Sequence, residues 1–449
     1  MQLPAAFIDK YLDLLGPTEG PAFIEALTTG QAQAGYRVNP LHAALSPDDN
    51  PVPGVATGYF GKVSGKSLDH VTGWVYSQEP SAMQVGEVVD PQPGETVLDL
   101  CAAPGGKSTH LIGKMADQGL LVANEIFPKR AKILAENLER WGAQHVAVTN
   151  ESPETLEKVF PQFFDRILVD APCSGEGMFR KEPDGIQYWT PNYPAECANR
   201  QRHILTSAMK MLKPGGTLVY STCTFAPEED EQMIAWLLAE YPDLSVVPIA
   251  KQPGMDEGRP AWADGNPALA QTVRFFPHHY DGEGHFIAKL QLSGTPMPTK
   301  KRKKKQRGSA VVKPSREQQA LWDRFKTEHV PTYTPTNLVV FGDELYDVTL
   351  APELLSQLKV AQAGVHLGTF KKKRFEPAFA LALVANAPQS LAINHDQWAQ
   401  YVHGDTFTVT TDCPNGWYVL TCDQHHCGWG KLVNGTVKNF YPKGLRFAL

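Results

Sequence analysis

The sequence predicts an α/β protein: a mostly parallel, doubly wound sheet, with a small N-terminal α+β module before it and a β-rich module after it. Three observations carry this. Between about residues 85 and 292, apolar runs of strand length at 96–100, 120–123, 166–169 and 217–220 alternate with helical patterns such as 128–141 and 196–212. The first run feeds a loop of small residues that opens a helix, and ligands bind at such strand ends in open parallel sheets. Past a helical stretch at 315–330, residues 337–346 and the tail from about 381 are rich in β-branched and aromatic residues with glycine turns.

The bulk properties bound the reading. A chain of 449 residues has room for about three or four domains. With 42% hydrophobic and 20% charged residues, it can build sizeable cores. No apolar run approaches the roughly 18 residues of a membrane span. The N-terminus carries Asp9 and Asp13 and lacks a basic stretch followed by an apolar one, so it reads as an amphipathic helix and not a secretory signal. Seven cysteines, an odd and sparse set, predict reduced thiols and a cytoplasmic location. A net charge of -6 argues against a chain that coats nucleic acid throughout, and leaves a local basic surface open.

These features divide the chain into five parts: a module at 1–80, the core at 81–292, a basic linker at 293–314, an intermediate module at 315–380 and the β-rich module at 381–449. In the linker, seven of the eight residues 300–307 are basic. That run suits phosphate contact as well as it suits a solvated linker. Arg37 and Asn39 in the first module are candidates for contact with a nucleic acid, mostly set aside.

The loop after the first core strand reads Cys101, Ala102, Ala103, Pro104, Gly105, Gly106, Lys107. Small side chains let the backbone approach a ligand, and the helix that follows offers free N–H groups. Two rival readings fail on spacing. A phosphate-binding loop needs glycine five residues before Gly106, where Cys101 stands; a dinucleotide fingerprint needs G-x-G-x-x-G, and the loop has only adjacent Gly105 and Gly106. Glu125 ends the second strand, placed to accept hydrogen bonds from ribose hydroxyls. The next two strand ends carry thiols: Asp170 leads into Cys173, and Ser221 into Cys223. Consecutive strands are usually neighbours, so both thiols are expected to face the same cleft.

Four segments, DLCAAPGGKST, the Asn124 region with its helix, LVDAPCSGEG and YSTCTFAPEED, occur in this order. Together they resemble the Nop/Sun family of RNA 5-methylcytosine methyltransferases, over at least residues 75–292. The resemblance implies a Rossmann-like class I methyltransferase core, S-adenosylmethionine as cofactor and RNA as substrate. It implies that Cys223 is the nucleophile and that Cys173 assists release of the product. DNA cytosine methyltransferases use the Pro-Cys cysteine for attack, so local sequence alone does not settle the roles. The chemistry needs a thiol because C5 of cytosine is a poor nucleophile; thiolate addition at C6 makes C5 enamine-like. Asp170 is the expected acid near N3, useful only if it is protonated. The cofactor-binding set is the 101–107 loop with Glu125, Arg130, Ser152 and Asp170. Ser152 stands where the family carries an acid, which leaves the adenine contact to Ser152, Asn150 or a backbone group.

The C-terminal residues from Gly428 to Arg446 look like the PUA-like tail of the branch that acts on 16S ribosomal RNA. That implies the small ribosomal subunit or its RNA as partner; no membrane partner and a monomeric state are also expected. The alternatives are a transfer-RNA cytosine methyltransferase, or a non-catalytic ribosome-assembly factor that keeps the fold. Cys413, Cys422, His425, His426 and Cys427 cluster near the end, but no C-x-x-C pair exists and no metal is expected.

Overall fold

The computed structural model describes residues 2–42, 45, 50–295, 311–386 and 388–449. The basic run at 300–307 therefore lies outside the described residues. The chain divides into two compact units. One comprises Met1–Val63, Tyr76–Ile126 and Glu151–Arg302; the other comprises Ser64–Val75, Phe127–Asn150 and Lys303–Leu449.

The first unit is built on the sheet that the apolar runs predict. Thr96–Asp99 lies at its centre, parallel to Leu120–Asn124 on one side and to Phe164–Asp170 on the other. Leu212–Thr222 continues the parallel order. The sheet then reverses: His285–Leu292 runs antiparallel beside Leu212–Thr222, followed by the short strands Val273–Phe275 and Met255–Glu257. The central strands read as near-continuous apolar runs because both faces are covered, and Val97, Leu98, Leu121, Val122, Ile167 and Leu168 have no exposed surface.

The N-terminal helix Ala5–Thr29 forms despite Pro17 and Pro21, because Gly16 breaks it with φ 78° and the prolines restart the following turns. Its apolar residues recur at Phe7, Tyr11, Leu15, Phe23 and Leu27 and pack with Phe179, Trp189, Phe225 and Phe276. Burying each of these aromatic side chains stabilises by roughly 2–3 kcal/mol, so the N-terminal segment is part of the core's own packing.

The second unit contains the helix Pro128–Arg140 and the strand Val146–Thr149, which pairs antiparallel with Val360–Gln362. The helix Arg316–His329 begins at a capping box formed by Ser315 and Gln318. Its Trp322 and Phe325 pack with Phe375, Trp417 and Trp429. Four antiparallel strands, Leu338–Phe341, Glu344–Asp347, Val365–Lys371 and Arg374–Pro377, form one sheet. Five more, centred on Gly416–Cys422 and His425–Val433, form another. Among the described residues no helix is long and apolar enough to cross a membrane.

Candidate active site

Each chemical group sits where a core strand ends. After Thr96–Asp99 the chain crosses the sheet edge in a loop whose backbone is tied on both sides: Leu100 N–H donates to Leu168 O at 3.0 Å, and Ala102 N–H donates to Asn124 O at 2.8 Å. Gly105 takes φ 117°, a conformation that disfavours any residue with a Cβ. No side chain caps the helix Gly106–Lys114 that follows. Its first N–H groups are thus available to a ligand.

Arg37 and Asn39, weighed as nucleic-acid contacts, are instead internal. Both are about 1% exposed and do not face solvent. The Arg37 guanidinium donates to Gln78 Oε1 at 2.5 Å, Gly106 O at 2.6 Å and Thr109 Oγ1 at 2.6 Å. The sequence pattern marked a surface cation because arginine is usually exposed; here it braces the loop helix from below.

Asp99, the last residue of its strand, has no exposed surface. It accepts a hydrogen bond from Ser108 Oγ at 2.6 Å, and its other oxygen has no partner among the described residues. Burial pushes its carboxyl up to about 7. Glu125, 4% exposed, ends Leu120–Asn124. Beside it, the Asn124 amide donates to Leu100 O and to Glu151 O, at 3.2 and 3.0 Å, which joins the loop to the next strand's exit. Ser152 precedes the helix Pro153–Val159, with its hydroxyl 3.2 Å from that of Thr155. Arg130 and Asn150 belong to the second unit: Arg130 is exposed on Pro128–Arg140, and the Asn150 N–H donates to Lys359 O at 2.9 Å.

Asp170 and Ser221 are register partners on adjacent parallel strands, so the two thiol-bearing loops leave the sheet side by side. Asp170 accepts from Lys107 Nζ at 2.8 Å and from Ser221 Oγ at 2.7 Å. Burial works against the Lys107 charge, but the Asp170 carboxylate outweighs it and holds the ammonium above its ordinary value. Lys107 is thus a fixed cation at this edge.

The sulfurs of Cys173 and Cys223 are 3.4 Å apart, and both residues are partly buried. The hydrogen bond to Cys223, aided by burial, raises the Cys173 thiol well above its usual value. Cys173 therefore keeps its proton.

A layer of buried carboxyls holds the thiol loops. Glu229 accepts from Ser174 N–H at 3.0 Å and from Gln201 Nε2 at 2.7 Å, and burial pushes its carboxyl up to about 8. Glu176 accepts from Tyr11 OH, from Trp189 Nε1 at 2.7 Å and from Thr224 Oγ1 at 3.0 Å. Gly177 N–H donates to Cys223 O at 2.9 Å. The sequence reading did not select Glu176, Glu229 or Gln201. The first two lie inside the LVDAPCSGEG and YSTCTFAPEED segments, and an acid amid small and apolar residues was the available signal.

A side-chain-poor loop opening an uncapped helix, an acid just past the neighbouring strand and paired thiols at the next strand ends are the arrangement expected of an S-adenosylmethionine-dependent methyltransferase. Comparison with known proteins agrees. The model of the 16S rRNA methyltransferase RsmB/F family matches residues 87–291. The N-terminal domain of 16S rRNA methyltransferase RsmF matches 3–80, the RsmF rRNA methyltransferase first C-terminal domain 324–384, and the methyltransferase RsmF PUA domain 388–447. Ribosomal RNA small subunit methyltransferase F of Shewanella loihica is 32% identical over 411 residues, covering 88% of this chain and 83% of the relative. The Erwinia tasmaniensis protein of the same name is 31% identical, covering 98% and 96%.

Among solved structures, a methyltransferase homolog protein from Pyrococcus horikoshii superposes with a TM-score of 0.55 at 28% identity, covering 65% of this chain and all of that one. NSun6 from the same organism, solved with SFG, shares the fold at a TM-score of 0.57 and 19% identity, covering 65% and 99%. The chain belongs to the RsmB/F family, and it is an S-adenosylmethionine-dependent RNA methyltransferase. Its residues fit that cofactor: a side-chain-poor loop, an uncapped helix start and the buried acid Glu125 suit a nucleoside with free ribose hydroxyls.

Proposed function

We propose that this enzyme methylates C5 of a cytosine in 16S ribosomal RNA through a covalent adduct on Cys223. The observation that carries the reading is the pair of thiols 3.4 Å apart at adjacent strand ends. A single thiol suffices for attack; a second one in contact, holding its proton, suits a step in which the first must be released.

The roles follow from the chemistry. The Cys223 thiolate adds to C6 of the ring, and the Cys173 S–H stabilises that thiolate by donating to it. Asp170, three residues before Cys173, is the group proposed at ring N3; with its oxygens accepting from Lys107 and Ser221, it can serve there as an acceptor once N3 carries a proton. Lys107 and Ser221 fix its two oxygens, so its position is set before the base arrives. When bound, S-adenosylmethionine supplies an electrophilic methyl group for the activated C5. A base then takes the C5 proton, the C–H electron pair re-forms the C5–C6 double bond, and the C6–S bond breaks to release the Cys223 thiolate, with Cys173 assisting. The residues proposed to hold the cofactor are the 101–107 loop, Glu125, Ser152 and Asp170. The target base must leave its stack to reach a thiol at a strand end, so a flipped or unpaired cytosine is expected.

The named relatives act, by their names, on the small-subunit RNA, and matches to their N-terminal and C-terminal domains support the same substrate here. A monomer, a cytoplasmic location and the five-part division at 80, 292, 314 and 380 complete the proposal. The test is bisulfite sequencing of ribosomal and transfer RNA from cells with and without the gene. Loss of one or a few 16S cytosine signals is expected. Loss confined to transfer RNA would move the substrate, and no loss in either pool would overturn the reading.

A further inference from the structure

Strands Val365–Lys371 and Arg374–Pro377 form a hairpin in which Lys371 faces Arg374. Its tip is four consecutive basic residues, Lys371, Lys372, Lys373 and Arg374, all exposed. Arg374 is neutralised by Glu376 at 2.8 Å, while none of the three lysines forms an ion pair among the described residues.

The tip stands on a rigid base. Phe370 and Phe375 face each other across the strands, buried, with ring centroids 5.4 Å apart. Phe375 also meets the rings of Trp322 at 5.3 Å and Phe325 at 5.1 Å. Phe370 N–H donates to Asp343 O at 2.8 Å. Adjacent like charges repel, so three unneutralised ammonium groups on one packed turn bring the fold no stability. In a chain whose net charge is -6, the tip is a local reversal of sign.

We infer that this hairpin tip docks the phosphodiester backbone of the RNA substrate. The inference rests on RNA being what the enzyme binds. Three consecutive exposed lysines on an open turn suit a chain of spaced charges. Lysine is a point charge without arginine's planar fork, so the contact positions the RNA and reads no base. The groove beside the tip is lined by Gln318, Leu321 and Phe370 and also by the acids Glu317 and Asp343, so the lysines themselves are where a phosphate backbone is held.

The test compares the full chain with K371Q/K372Q/K373N, in binding to total ribosomal RNA between 50 and 200 mM salt. Asparagine tolerates the left-handed φ of 59° at position 373. Each lost phosphate contact lowers the slope of log affinity against log salt by about 0.7–0.9. The triple variant should lose about two units of slope, and its KM should rise while kcat stays unchanged. Should the triple variant fold poorly, K372E alone should lose about one unit. An unchanged slope overturns the inference, as does a loss of affinity that salt does not modulate. Parental RNA binding with lost affinity for extracted small-subunit proteins also overturns it, assigning the tip to an acidic protein. Because binding is read directly, this outcome is independent of which nucleotide is methylated.

Discussion

The contact between the Cys173 and Cys223 sulfurs, 3.4 Å apart, raises the Cys173 thiol above its usual value. The proposed attack by Cys223 gives the first prediction. Cys223→Ala should lower turnover roughly a thousandfold or more and leave no RNA adduct on denaturing gels. Cys173→Ala should let the adduct accumulate. The opposite pattern would exchange the roles. Glu229 makes a second prediction. Its carboxyl has a usual value near 4.5 and is raised to about 8 in the fold. Between those values the folded chain holds a proton that the unfolded chain has lost, so stability falls as pH rises through that window. Glu229→Gln should flatten this part of the profile and gain on the order of 1 kcal/mol at pH 8.5. A melting curve whose pH dependence is unchanged in the variant would count against the buried neutral acid.

The loop between Thr96–Asp99 and Gly106–Lys114 depends on a strut. Arg37 ties Gln78, Gly106 and Thr109 together. Arg37→Ala leaves buried acceptors unpaired, at about 1–3 kcal/mol. It should weaken S-adenosylmethionine binding by roughly tenfold or more by calorimetry, and Arg37→Lys should not restore it, because a single nitrogen cannot reach the acceptors that Nε and Nη2 serve from separate positions. Unaltered affinity in Arg37→Ala would dismiss the strut. The strut also marks what a sequence can reveal. The loop, Glu125 and the two thiols were legible because strand ends announce themselves in a linear pattern. The bracing role of Arg37 was not legible, because its partners lie 41 to 72 residues away. Tyr11 and Glu176, 165 residues apart, meet only through packing of the N-terminal helix. The antiparallel strands Met255–Glu257 and Val273–Phe275 were equally silent, each being only three residues long.

At the scale of the molecule, neither unit is a continuous stretch of chain. The second unit takes Ser64–Val75 and Phe127–Asn150 from within the first half and completes itself with Lys303–Leu449. A chain ended at residue 295 therefore removes Val360–Gln362 from beside Val146–Thr149, and an unpaired strand edge invites association with other chains. Such a fragment should scatter light and sediment as aggregates at concentrations where the full chain does not; a monodisperse fragment with the parental melting point would refute this. The same pairing sets a clock on synthesis. From Thr149 to Val360 the ribosome must add 211 residues, which takes roughly 10–40 s at the usual pace. Through that interval the buried strand Val146–Thr149 waits for a neighbour not yet translated, and any pause between those points lengthens the time in which a chaperone must guard it.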